Sequence, residues 1–265
     1  MLNIARRQLE RHWMFLAVAM VVLAGFELFL CAMVASVDVE AAFEQIAQFA
    51  PPIFRAMLEQ NFGGGSPAAV LSFGWNHPVA HALLTAVAIT LPARAIAGEV
   101  ENGAIELVMA QPVSRARYFA AHVLTGLGAL AAMLAAGLAG TILGQHVFSL
   151  EPFGAARLAA LFLNALLLQL AIYAVTLLAS AFGREAGRVA IVGVLFAVLS
   201  YLVSAVATLW SKAAFAKPYS LHGYFDPREI LVQGHLAPGS VAILAAVTVV
   251  AMAAAFVGFA RRDLP

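Results

Sequence analysis

The chain reads as an all-α integral membrane protein with six transmembrane helices, and three observations point there. Apolar residues make up 63% of its 265 positions and charged residues 11%, against about 45–50% and 25% in soluble domains. Mean hydropathy is +0.92, so polar side chains are too few to cover a water-facing surface. Six stretches reach the roughly 20 apolar residues that a helix needs to cross a bilayer core, at about 13–37, 77–97, 118–144, 156–182, 188–210 and 239–260. This excludes a soluble enzyme and a disordered chain. The net charge of +1 comes from few, scattered basic residues, which leaves no footprint for nucleic acid. The single cysteine, Cys31, makes no internal disulfide, and the Cys and His spacings match no zinc site.

The first stretch follows Arg6, Arg7 and Arg11. Its apolar core is longer than the 7–15 residues of a signal peptide, so it reads as an uncleaved span. Six spans put both termini on one side. That side holds ten basic residues: Arg6, Arg7, Arg11, Arg94, Arg115, Arg117, Arg184, Arg188, Arg261 and Arg262. The other holds five: Arg55, Arg157, Lys212, Lys217 and Arg228. The positive-inside rule therefore places both termini in the cytoplasm. Trp13, Tyr118, Trp75 and Trp210 lie at span ends, where amphipathic rings favour the lipid interface.

Outside the spans, residues 1–12 set Leu2, Ile4, Ala5 and Leu9 against Arg6, Arg7 and Glu10. That pattern fits an interfacial amphipathic helix before the six-span domain 13–265, or a charged cap on the first span. External loop 38–76 carries Phe43, Ile46, Ala50, Phe54, Met57 and Leu58 at helical spacing, broken by Pro51-Pro52 and closed by Gly63-Gly64-Gly65-Ser66-Pro67. Two short helices follow from this, either gating a cavity or resting on headgroups. External loop 211–238 is punctuated by Pro218, Gly223, Pro227, Gly234 and Pro238, with one helical turn expected after Asp226-Pro227.

The most informative stretch is GEVENGAIELVMAQPVSRARYF, beginning at Gly98. Acids at Glu99, Glu101 and Glu106 and the apolar Ile105, Leu107, Val108 and Met109 predict a short cytoplasmic helix that Pro112 stops. Ser114 is then placed to cap the third span. This segment resembles the permease subunits of ABC-2 class exporters, in which a Glu-x-Glu-x-Gly-x-x-Glu run after the second span leads to Pro-Val-Ser-Arg. The matching positions are Glu99, Glu101, Gly103, Glu106, Pro112, Val113, Ser114 and Arg115, with Ala104 where that family usually has threonine. PYSLHGYFDPREIL before a last span ending in FARRDLP resembles the closing part of the same family.

The resemblance implies a homodimeric exporter permease whose cytoplasmic segment 98–117 couples it to a separate ATPase subunit. The residues it implicates in coupling are Glu99, Glu101, Gly103, Ile105, Glu106, Val108, Met109, Pro112, Ser114 and Arg115. Ile105, Val108 and Met109 are expected to seat in a groove of that partner, partly exposed in the isolated chain. The chain contains no G-x-x-x-x-G-K-[ST] phosphate loop, so ATP and Mg are expected on the partner and no cofactor or metal on this chain. An intramembrane enzyme and a non-transporting anchor are the competing classes. The enzyme would need a nucleophile–base pair or metal motif, and neither H-E-x-x-H nor G-x-S-x-G is present.

Within the spans, Glu27 lies about 21 Å along the first helix at 1.5 Å per residue. At that depth it should face protein, a cavity or the outer interface, as an interhelical hydrogen bond ahead of a substrate contact on a translocation path, with a proton relay third. Asn164 and Gln169 raise the first two of these readings. His77 and His81 stand one turn apart, two ligands where a metal site usually has three or four. Gly137, Gly140 and Gly144 suit close helix packing. Arg94 can snorkel to the interface or pair with Glu99.

Overall fold

The computed structural model describes residues 2–51, 54, 55, 58 and 65–263. Among the described residues there is no strand, and six helical stretches are long and apolar enough to cross a membrane. Helix α1 (Leu2–Ser36) precedes the short α2 (Val39–Phe49). The second crossing is built in pieces: α3 (Pro67–Asn76), α4 (Pro78–Ala93), a π-turn over Arg94–Gly98, and the single turn α5 (Glu99–Glu101). After α6 (Ala104–Met109) come α7 (Arg115–Val147), α8 (Ala155–Phe182) and α9 (Ala186–Leu209). Two 3-10 stretches, Ser211–Tyr219 and Leu221–Tyr224, and α10 (Pro227–Leu231) then lead to α11 (Pro238–Arg261). Because the crossings alternate, the start of α1, α5 and the adjoining ends of α7, α8, α9 and α11 gather at one arginine-rich end.

Crossings three to six fall within about three residues of the stretches read from hydropathy. The first two differ. No proline or glycine interrupts α1 before Gly25, so residues 2–12 continue into the span as one helix rather than forming a separate element. The loop expected over 38–76 ends early, because 67–76 is a packed helix with Val70, Leu71 and Trp75 buried. Ser66 and His77 each accept a bond from a following backbone N–H, Ala69 at 3.3 Å and Val79 at 3.2 Å, and a proline follows each. Two helix starts thus occur in succession, and only the second was legible as one. The second short helix expected after Pro51 and the glycines before Gly65 lie largely outside the described residues. Asp226 does cap the turn after it, accepting from the Glu229 N–H at 3.1 Å.

The closest packing joins α1 to α7. A Cβ added to Gly140 would stand 2.3 Å from the Ala24 carbonyl oxygen, and one on Gly144 would stand 2.6 Å from Cys31 Cβ. Small residues here let the two backbones touch, which is how helices associate where lipid removes the hydrophobic drive. Gly137 leaves room for the Trp75 indole, 2.8 Å from where its Cβ would be. Trp75 and Tyr118 are therefore core residues, 1% and 2% exposed, and not interfacial anchors; Trp13 and Trp210 remain exposed. Gly140→Ala should cost about 1–3 kcal/mol through overpacking, seen as a lower thermal midpoint in detergent. Gly128→Ala, where nothing lies within 4 Å, should be neutral or slightly stabilising.

Candidate functional site

The site is the segment that leaves the second crossing at the arginine-rich end. Its geometry starts at Pro92, which lies inside α4 and has no N–H to donate. The helix widens into the π-turn just beyond it. The ordinary bond from the Ala97 N–H to the Ala93 carbonyl is replaced by a side chain from α8. The Ala97 N–H donates to Ser180 Oγ at 3.0 Å, and that hydroxyl donates to the Ala93 carbonyl at 3.3 Å. The Tyr118 hydroxyl of α7 donates to the Ala95 carbonyl at 2.5 Å. Freed backbone groups out of reach of water must find such partners.

The two acids that follow are each engaged by a distant helix. Glu99 is buried and accepts from Arg11 Nη1 at 2.7 Å, so its partner is on α1 and not Arg94. Glu101 accepts from the Ala186 N–H at 2.9 Å. It thereby caps α9, whose own N-cap residue, Glu185, makes no side-chain cap bond; a carboxylate there also suits the helix dipole. Gly103 turns the chain at φ +67°, a conformation that costs glycine nothing. The helix α6 then starts with no side-chain cap, consistent with Ala104 where threonine was usual.

The face of α6 differs from the expectation. Ile105 is only 1% exposed and belongs to the chain's own core, with Val108 and Met109 packed partly against it. Positions 105, 108 and 109 form one helical stripe, and a lone stripe on a six-residue helix is spent on holding that helix to its own bundle. Leu107 is 73% exposed, and Glu106 faces outward with it. Glu106 is among the residues that the resemblance implicates in coupling, and Leu107 is not.

Ser114 caps α7 as expected, accepting from the Arg117 N–H at 3.3 Å, and α6 ends at Met109 shortly before Pro112. Arg115 plays another part. Its Nη1 donates to the carbonyls of Phe259, Ala260 and Arg262 at 2.9, 3.1 and 2.6 Å, with the guanidinium 5.8 Å from the Phe259 ring. It closes the end of α11, where four carbonyls lack helical partners and a cation is favoured. Arg262 in turn donates to the Ala181 carbonyl at the end of α8, at 2.9 Å.

The structure does not bring the intramembrane polar residues together. Glu27 is buried between α1, α3 and α7 and accepts from Thr141 Oγ1 at 3.2 Å. Asn164 donates to the Tyr224 carbonyl at 3.2 Å, and Gln169 accepts from Thr85 at 3.4 Å. Each sits at a different helix junction, and each bonds across it. At the far end, His77 Nδ1 accepts from the Val79 N–H while His81 Nε2 meets Asn76 Oδ1 at 3.2 Å. His81 packs on His222, their rings 4.9 Å apart, and His222 meets Ser200 Oγ at 2.9 Å. Burial lowers the His222 pKa to about 4, so the ring is neutral at neutral pH. Among the described residues no group of three or more His, Cys, Asp or Glu is placed to hold a metal.

Arg115→Gln removes a charge-assisted cap and should cost about 1.5–3 kcal/mol, read as a lower thermal midpoint of the purified chain. Arg115→Lys should recover part of the loss, since an ammonium still donates to those carbonyls.

A family model described as ABC-2 family transporter protein matches residues 6–264. No curated protein matches the chain in sequence. The matched stretch runs through all six crossings and the segment clasped by Arg11 and Ala186. The chain therefore belongs to the ABC-2 family, the membrane components of ABC transporters.

Proposed function

We propose that this chain is the permease subunit of an ATP-driven exporter, with α6 as the element that docks a separate ATPase on the cytoplasmic side. The observation that carries this is the division of α6 into two faces. Ile105 anchors it in the bundle while Leu107 and Glu106 are presented outward at the arginine-rich end. Leu107 lies outside the crossings, where no lipid core covers it, and a partner surface over it would take its apolar area out of water. The excess of arginine at this end favours the cytoplasm, so both termini and α6 lie there, with the chain inserted in a bacterial-type inner membrane.

ATP and Mg belong to the ATPase, whose closure would push on α6. Glu99 and Glu101 then pass the displacement to α1 and α9, and the π-turn passes it to α4, α7 and α8. Two copies of the chain form the working unit, because six helices packed around their own core leave little space for a path. α9 and α11 are the crossings least covered by the chain itself and so have the most surface free for a second copy and lipid.

Burying a leucine is worth roughly 1.5–3 kcal/mol, so Leu107→Asp should weaken ATPase recruitment about ten-fold or more. Glu106→Lys should act less, mainly on association rate and salt dependence. Ile105→Asp should instead destabilise the permease, because that side chain is inside it. The measurement is co-purification of a phosphate-loop ATPase from native membranes, with insertion of each variant checked separately. Normal recruitment by a correctly inserted Leu107→Asp variant would remove α6 as the docking element.

A further inference from the structure

At the arginine-rich end, a cavity of about 50 Å³ lies between the start of α1, the end of the second crossing and the start of α7. Arg7, Arg11 and Arg94 border it, with Glu99 as the carboxylate among its lining residues. That carboxylate is already engaged by Arg11. Two positive side chains are thus left facing a small space beside apolar Ile4 and Val108.

The inner wall carries polar groups with nothing to bond. His122 is 6% exposed, and neither of its ring nitrogens has a partner. Gln8, 8% exposed, also has its side-chain oxygen unpartnered. The Tyr118 hydroxyl is spent on the Ala95 carbonyl and offers nothing. A buried donor or acceptor left unmade is costly, so this wall is built to meet an occupant. The space admits about three to four water-sized groups, which is the number of oxygens on a phosphate. The surplus of guanidinium over carboxylate favours an anion over neutral water, and guanidinium matches the paired oxygens of a phosphate. An imidazole N–H from His122 adds a donor, and the Gln8 amide supplies another when turned over, since its O and N are assigned by their partners. Across Arg11 and Arg94 lies a wider cleft of about 530 Å³, bordered by Gly98, Glu101 and Ala186. It gives room for the rest of a larger molecule.

We propose that this cavity is a binding site for a phosphate group, held by Arg7, Arg94 and His122. The phosphate can belong to a lipid headgroup or to a soluble anion, and the chemistry of recognition is the same. The site is independent of ATPase docking: it can fail while α6 still recruits the partner, and the reverse.

The test uses the purified full-length chain in nonionic detergent at constant ionic strength. The probes are inorganic phosphate, short-chain phosphatidylglycerol and, as phosphate-free control, a diacylglycerol of the same chain length. The readout is the thermal midpoint against probe concentration. Phosphate, phosphatidylglycerol or both should raise it, and diacylglycerol should not. A response to the lipid alone assigns the site to a headgroup, and a response to inorganic phosphate assigns it to the bare anion. Arg94→Gln and His122→Phe should weaken apparent affinity at least ten-fold. Arg7→Gln should do the same and disturbs the fold least, because that residue is exposed. Arg188→Gln, whose side chain is exposed and paired with Glu185, should stay within two-fold. No midpoint shift with either phosphate probe, or a shift undiminished in Arg7→Gln and Arg94→Gln, would overturn the proposal.

Discussion

A helix that crosses lipid has to satisfy every backbone group without water, and the π-turn over Arg94–Gly98 breaks the regular bonding pattern at the end of the second crossing. The rest of the arginine-rich end is arranged around the repair. The hydroxyl of Ser180 stands where a backbone bond would have been, between the Ala97 N–H and the Ala93 carbonyl, and Tyr118 serves the carbonyl of Ala95. Both donors sit on other helices. The repair therefore fixes α8 and α7 against the second crossing at the level where the chain leaves the bundle. A π-turn patched by side chains is also an easier place to bend than a regular helix, since its bonds are fewer and borrowed.

The ion pair and caps beyond the turn carry the same logic outward. Arg11 is about 41% exposed at its side chain and Glu99 about 11%, so the pair is partly screened and its net gain is modest. Its loss on one side is another matter, because it would leave a largely buried charge alone. Glu101 on the start of α9, Arg115 on the end of α11 and Arg262 on the end of α8 each use one side chain to close a helix end belonging to another crossing. The ends are tied crosswise by the chain's own side chains. A push on α6 thus meets a network linked to α1 and α9 directly and to α4, α7 and α8 through the turn.

Much of this was legible in the sequence, in a physically consistent way. Long apolar runs announced the crossings, because burying them in lipid dominates everything local. Ser114 and Asp226 announced helix starts, because a cap is read from neighbours in sequence. The differences at Trp75, Tyr118, Arg115 and Glu101 share one cause, a partner far away in sequence. Trp75 and Tyr118 looked like interface anchors, and residues 67–76 looked like loop, since only the fold shows Gly137 making a socket for the indole. Arg115 and Glu101 sat in a motif whose resemblance spoke for coupling, and their partners lie 144 and 85 residues away. The burial of Ile105 has a local reason instead. A single apolar stripe on a short amphipathic helix faces the helix's own bundle first, and Leu107 off that stripe was the side chain to watch. The basic cavity had no sequence signature, because Arg7, Arg94 and His122 come from three separate helices.

The segment over residues 99–109 is held to the bundle by the Arg11–Glu99 pair and the Glu101 cap on α9 as well as by the buried Ile105. Hydrogen–deuterium exchange on the full-length chain tests it without a partner or cargo. Arg11→Gln combined with Glu101→Gln should speed backbone exchange across 99–109 by about ten-fold or more, while the middle of α8 stays protected. The charge swap Arg11→Glu with Glu99→Arg, which keeps an ion pair and the Glu101 cap, should retain much of that protection. Exchange over 99–109 that is unchanged in the double variant would mean that neither polar tie holds the segment and that Ile105 packing alone keeps it on the bundle.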